Sequence, residues 1–328
     1  MTDRSATAQA HPNIAFIKYW GNRNDELRLP ANSSLSMNLD GLHTETTVIW
    51  NETLSEDELI LNGQREQGPA LERVKKHLDV IRARINLTAR ASVISANNFP
   101  TGAGIASSAS AFAALTTAAF AAAGADLGER ELTTFARLGS GSAARSIPSG
   151  FVRWHAADTH EDSYAESIGG PALWDIVDVI AVVNTGHKSV GSSAGHTSAA
   201  TSDLQAARVN GAAARLIHVE EAILRHDFEA FAHLVELDSN LMHAVMMTSN
   251  PSLFYWQPAS LMIMQEVRSW RSAGLPVCYT LDAGPNVHCI CERNAAARVS
   301  DLLHSMSEVR TVYTAPVGGG ARVISASE

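Results

Sequence analysis

The run Pro100-Thr-Gly-Ala-Gly104-Ile-Ala-Ser107-Ser108-Ala-Ser110 combines glycines, hydroxyls and a following stretch of helix formers. A helix starting there presents unpaired backbone N–H groups and the positive end of its dipole. Phosphate oxygens fit such a start without any lysine. Serine hydroxyls can add hydrogen bonds or help to hold a phosphate-bound Mg²⁺. The run lacks the Gly-Lys-Ser/Thr ending of a Walker loop and the spacing of a dinucleotide fingerprint. Its plainer reading is a glycine-rich turn that caps a packed helix.

Three other places hold groups suited to chemistry. Ser140-Gly-Ser142-Ala-Ala-Arg145 puts two hydroxyls and a guanidinium within six positions. Arginine is a natural bidentate partner of a carboxylate or phosphate, although a solvated arginine on a surface turn is equally compatible. Asp282, in Asp-Ala-Gly-Pro-Asn286, ends an apolar run, a position that suits a base or an orienting group. The alternative is an Asx turn at a hairpin. Asn13, Lys18 and Tyr19 lie on or just after a short apolar strand, so Lys18 either points into a cleft or snorkels to the surface.

Other chemistries find little support. The 13 histidines show no repeated ligand spacing for zinc. No Gly-x-Ser-x-Gly elbow is present. Met242, Met246, Met247, Met262 and Met264 read as core filler. Cys278, Cys289 and Cys291, three thiols in 328 residues, read as buried and free. A formal net charge of -9 argues against nucleic acid as a partner. No leader-like apolar stretch or run of 18 apolar residues is visible, so neither secretion nor a membrane is expected and the cytoplasm is the default.

The elements that must position these groups follow from periodicity. Residues 1–10 read as a loose tail, and 42–50 as an alternating strand. Residues 57–62 read as a strand ending at the hairpin signal Asn62-Gly63. Leu71, Val74, Leu78 and Ile81 mark a helix over 67–84. Residues 85–95 read as a strand, 106–123 and 131–138 as helices, and 150–155 as a strand. A buried strand near 177–183 opens a second half. There, helices are expected at 199–225, 227–247, 257–273 and 295–305. Strands are expected at 276–281, 286–292, 311–314 and 321–325. The pattern is two α+β domains with a border near 180.

Five blocks, in order, then resemble the mevalonate-phosphate decarboxylases of the GHMP kinase superfamily. They are Asn13-Ile-Ala-Phe-Ile-Lys18-Tyr-Trp-Gly21, Leu29-Pro-Ala-Asn-Ser-Ser-Leu-Ser36, Asn97 to Ser110, Ser140 to Arg145, and Asp282 to Asn286. The resemblance implies an α+β, GHMP kinase-like two-domain fold with the active site in the cleft between the domains. Residues 1–179 would form a ribosomal protein S5 domain 2-like domain, and 180–328 a ferredoxin-like α/β-sandwich. ATP would lie on Asn98, Gly102, Gly104, Ala106, Ser107, Ser108 and Ser110, with Ser107 near Mg²⁺. Arg145 would hold the C1 carboxylate, Asp282 would orient or deprotonate the C3 hydroxyl, and Lys18 would add positive charge. Asn13, Tyr19, Asn22, Ser140, Ser142 and Ser193 would position the substrate. A homodimer is also implied.

Two departures bear on the substrate. The family usually carries lysine where Asn22 stands, and some members carry arginine where Ser193 stands. Less positive charge at the 5-end points to 5-phosphomevalonate, giving isopentenyl phosphate, with Arg23, Lys188 or His196 as possible compensation. The alternative substrate is 5-diphosphomevalonate, giving isopentenyl diphosphate. A mevalonate 3-kinase without decarboxylation and a non-catalytic sensor rank lower, because Lys18, Arg145 and Asp282 are all retained.

Overall fold

The computed structural model of the protein describes residues 4–99, 107–184 and 191–327, the side chains of 192–194 excepted. Ala6, Ala8 and Ala10 are buried while their neighbours are partly exposed, so Arg4–Ala10 is a strand, β1, and not the loose tail expected. Alanines are too small to register as an apolar pattern, yet they let a helix approach closely. β2 (Asn13–Ile17), β3 (Asn22–Asn24), β4 (Leu29–Pro30), β5 (Ser34–Asn38) and β6 (Thr44–Asn51) follow. The hairpin β7 (Glu58–Leu61) and β8 (Gln64–Glu66) turns at Asn62 and Gly63, both at positive φ, as that dipeptide demands.

Next come α1 (Pro69–Ile85), β9 (Arg90–Asn97), α2 (Ser107–Ala122), α3 (Glu129–Gly139), a 3-10 turn (Gly141–Ser146), β10 (Phe151–Trp154) and β11 (Ala165–Gly169). α1 starts at Pro69 and stops at Asn86, whose left-handed backbone closes the helix. α2 is nearly all alanine, serine and phenylalanine and is buried on most sides. It packs on the first sheet, ordered β16-β1-β6-β9-β7-β8. A second sheet, β11-β10-β5-β2, carries the chain end that precedes Lys18.

The remainder comprises β12 (Ile176–Val182), α4 (Ser192–Ser198), α5 (Gln205–Arg225), α6 (Phe228–Thr248), α7 (Pro258–Ser272), β13 (Val277–Thr280), β14 (Val287–Glu292), α8 (Ala296–His304), β15 (Thr311–Pro316) and β16 (Arg322–Ala326). β12 crosses position 180 and pairs with β14 and β15 in an antiparallel sheet ordered β13-β14-β12-β15. Its two faces enter different cores. Ile176, Ile180 and Val182 pack with α5 and α6. Val177, Val179 and Ala181 pack with α7 and α8. The α5/α6 core also takes in Ile14, Phe16, Leu35 and Met37 of the second sheet. Two helices are thus shared between two sheets. The final strand, β16, returns to pair with β1. All three cysteines are buried and free.

Candidate active site

Where the second sheet meets the β13–β14 turn, a cavity of about 450 Å³ opens. Its walls come from the end of β2, α1, the start of α2, the 3-10 turn and the Asp282 turn. β2 is buried along its whole length, and Phe16 stacks edge-on against Phe231 of α6 at 4.8 Å. This fixes where the next residue emerges. Lys18 is 1% exposed, and its Nζ donates to Asp282 Oδ1 at 2.7 Å. Its backbone N–H donates to Asp238 Oδ2 at 2.7 Å. Of the two readings of Lys18, the inward one holds, and the Asp282 carboxylate is spent on an ion pair instead of an Asx turn.

Burial pushes the Lys18 ammonium below its ordinary pKa, and Asp282 only partly restores it. Burial alone would raise the Asp282 carboxyl. Lys18 and His288 outweigh that and hold it below the ordinary carboxylate value. His288 is paired with Asp178 at 2.6 Å, which raises the imidazole against the effect of its own burial.

Arg145 ends the 3-10 turn and is buried. Its Nη1 donates to Ser34 Oγ at 2.7 Å, and Nε and Nη2 donate to Asn13 Oδ1 at 3.3 and 3.1 Å. Asn13 in turn donates to Ser142 O and Ser146 Oγ. Asn13 therefore stands behind Arg145 and positions it, while Arg145 itself lines the cavity. Burial lowers the guanidinium pKa to about 10, which still leaves it charged at neutral pH. With Lys18 and Arg145 set against Asp282, this end of the cavity carries a net positive charge that a substrate carboxylate can neutralise.

Ser107, Ser108, Ser140 and Ser142 all line the cavity, and Ser108 Oγ lies 3.2 Å from Ser140 Oγ. Ser110 is buried below them and bonds Thr44 Oγ1 and Ser107 O. Asn98 is turned elsewhere: it accepts from His43 N–H and donates to Gly41 O. Its neighbour Asn97 lines the cavity. Gly102, Gly104, Ala106 and Lys188 lie outside the described residues, as does the side chain of Ser193. Beyond the serines the wall turns apolar, with Leu59, Leu61, Val74, Val93 and Leu115.

At the opposite corner, Tyr19 stacks on His196 at 4.0 Å and edges Trp154 at 4.6 Å. Its hydroxyl donates to Asn22 Oδ1 at 2.5 Å, and Asn22 donates on to Asp25. Burial raises the phenol pKa, against the opposing pull of Arg28 and Arg145. Gly21 N–H donates to His196 Nδ1 at 3.0 Å, so neutral His196 carries its proton on Nε2. Arg23 points away and pairs with Asp158 on the surface. Sequence reasoning missed Arg28 and Arg73, which both line the cavity. Arg28 stands between Leu27 and Leu29, and Arg73 is one of several charged residues on its helix with Glu72, Lys75 and Lys76, so nothing in the pattern marks either one.

This architecture and cavity define a two-domain α+β protein of the GHMP kinase-like type. The model of the diphosphomevalonate decarboxylase-like N-terminal domain matches residues 10–165. That of the mevalonate 5-diphosphate decarboxylase C-terminal domain matches residues 178–321. The chain belongs to the diphosphomevalonate decarboxylase family. It is 37% identical to diphosphomevalonate decarboxylase of Candida albicans, over 98% of this chain and 96% of that one. The solved mevalonate diphosphate decarboxylase of Staphylococcus aureus superposes with a TM-score of 0.94 at 34% identity, over 99% of both chains. The structure described as MDDEF in complex with MVAPP, AMPPCP and magnesium gives 0.93 at 38% identity, over 98% of this chain and 99% of that one.

Proposed function

We propose that the protein is an ATP-dependent decarboxylase of mevalonate phosphorylated at its 5-hydroxyl, with the 5-diphosphate as substrate. The products are isopentenyl diphosphate, ADP, phosphate and CO₂. One observation carries the chemistry: the Lys18–Asp282 pair and buried Arg145 face one cavity with Ser107, Ser108, Ser140 and Ser142. The names of the relatives support the diphosphate and reverse the order expected from Asn22 and Ser193. The same reading divides the chain near residue 180; the homodimer rests on the resemblance alone, and the cytoplasm is the default expectation of the sequence. Among the described residues no helix is long and apolar enough to cross a membrane.

Arg145 holds the C1 carboxylate and Asp282 accepts the hydrogen bond of the C3 hydroxyl. The γ-phosphoryl of ATP passes to that oxygen as its bond to ADP breaks, and the hydroxyl proton leaves on an oxygen of the transferred phosphoryl, turning a poor leaving group into a good one. As the C3–O bond breaks, positive charge grows on C3. The C1–C2 electron pair then forms the C2–C3 double bond and CO₂ departs. Asp282, kept ionised by Lys18, is a weak base but a well-placed negative charge for that transition state. Ser107, Ser108 and the start of α2 face the transferring phosphoryl with hydroxyls and N–H groups. Among the described residues no three His, Cys, Asp or Glu side chains gather as a metal set. Mg²⁺ would therefore sit on nucleotide phosphates, water and a hydroxyl such as that of Ser107, where it neutralises phosphate charge.

A second reading, 5-phosphomevalonate, is favoured by Asn22, a neutral side chain already bonded to Tyr19 and Asp25. Steady-state kcat/KM for both substrates, with CO₂ and ADP measured together, tests the proposal. One CO₂ per ADP and a preference for the diphosphate are expected. A preference for the monophosphate establishes the second reading. ADP with a stable 3-phosphate and no CO₂ overturns both.

A further inference from the structure

Three guanidinium groups face the cavity without forming a salt bridge among the described residues: Arg28, Arg73 and Arg145. In a chain of net charge -9 this is selective. Arg23, Arg153, Arg215 and Arg271 all have carboxylate partners. Arg145 is accounted for by the C1 carboxylate.

Arg28 and Arg73 meet at the C-terminal end of α3. Arg28 Nε donates to Leu138 O at 2.9 Å, and Arg73 donates from Nε and Nη2 to Gly139 O. These bonds anchor both groups on carbonyls that the helix leaves unpaired. Arg73 is then largely committed, since it also lies 4.4 Å over the Phe112 ring. Arg28 has spent one donor of five, and both terminal nitrogens remain. Its backbone sits at φ 49, an uncommon conformation for a long side chain, so its Cα is held in place by the turn. It is close enough to Tyr19 to act on the phenol and close enough to Arg73 to act on that guanidinium. The Tyr19 ring borders Gly141, in the turn that leads to Arg145. Tyr19, Arg28 and Arg145 line the same cavity, so an elongated substrate with its carboxylate on Arg145 has the Tyr19 corner open to its other end.

We propose that Arg28 binds the 5-phosphate group of the substrate and makes phosphorylated mevalonate preferred over mevalonate itself. This rests on the decarboxylase reading, and names the cation at a corner where Asn22 is neutral and Arg23 turns outward. The shared chemistry is a terminal phosphate, in a monoester or a diphosphate.

The test is calorimetric binding of 5-phosphomevalonate, 5-diphosphomevalonate, mevalonate and ATP to the wild type and to Arg28→Leu. Loss of a charge-assisted contact predicts about 10- to 100-fold weaker binding of both phosphorylated compounds. Mevalonate and ATP should change less than about twofold on the same argument. Weakened ATP binding with unchanged phosphorylated mevalonate overturns the proposal and gives Arg28 to the nucleotide. Unchanged binding of all four also overturns it. Should Arg28→Leu not fold, Arg28→Gln carries the same comparison. A wild type that binds the phosphorylated compounds but releases no CO₂ refutes the decarboxylase reading, while the binding comparison still decides the role of Arg28.

Discussion

Lys18 and Asp282 share one proton economy. Lys18 must keep its proton to hold Asp282 ionised and in place, and burial makes that proton easier to lose. As pH rises through the lowered lysine pKa, the ammonium neutralises and the cavity loses a positive charge. kcat/KM should therefore show an alkaline limb below the ordinary lysine value of 10.5. In Lys18→Arg the limb should move upward, because a guanidinium holds its proton more tightly than an ammonium in the same place, although burial brings even the neighbouring Arg145 down to about 10. A limb that stays where it is in that variant belongs to another group. On the acid side Asp282 stays ionised to below its ordinary 3.8. An acid limb near pH 6 would then report the second ionisation of the substrate phosphate, which lies at about 6. pH profiles of the two proteins settle both limbs.

The elements supply the placement that no single residue can. Most were legible in the sequence: the expected helix 227–247 is found at Phe228–Thr248, and the strand 286–292 at Val287–Glu292. Those segments have strong periodicity and long apolar runs. β1 was illegible because its buried face is alanine, and β5 because its inward residues include Ser34, Ser36 and Asn38. The expected helix from 199 begins only at Gln205, after α4 and a separate 3-10 turn. In the site, Lys18, Arg145 and Asp282 were legible as motif residues. Arg28, Asp238 and the Asp178–His288 pair were not, since each gains meaning only from a partner distant in sequence. The 3-10 turn illustrates what an element contributes. A Cβ on Gly141 would lie 2.5 Å from the Tyr19 ring. That ring is held between Trp154 and His196 and cannot yield cheaply. Gly141→Ala should destabilise the protein by about 1–3 kcal/mol through overpacking. It should also raise KM for the phosphorylated substrate by about tenfold as Tyr19 shifts. Thermal unfolding and steady-state kinetics check this, and an unchanged KM would separate the Tyr19 position from substrate binding.

At the scale of the whole molecule, the two halves are joined through the same groups that set up the site. Asp238, buried on α6, accepts Lys18 N–H through Oδ2 and Arg215 Nε through Oδ1. Arg208 of α5 reaches Trp20 O and Asn32 Oδ1, which lie in the first half of the chain. Around these bonds runs one apolar core, from Ile14 and Phe16 through Leu216 and Phe231 to Ile180. Each half also has a core of its own, around α2 in the first and around α7 and α8 in the second, but the shared core joins them over a broad apolar surface, so the chain should unfold in a single transition although it contains two domains. Asp238→Ala tests the coupling. It removes the carboxylate partner of Arg215, whose Nη2 keeps only the Arg208 carbonyl, and strands the Lys18 N–H without an acceptor, at a cost of about 3–5 kcal/mol. For a chain of this length that is a fall in Tm of roughly 4–7 °C. Because Asp238 also fixes the backbone from which Lys18 reaches Asp282, kcat should fall with Tm, at temperatures where the variant is still folded. Calorimetry that resolves two separate transitions in the wild type would contradict the shared core. A stable Asp238→Ala with normal kcat would show that Lys18 is placed by its ion pair with Asp282 alone.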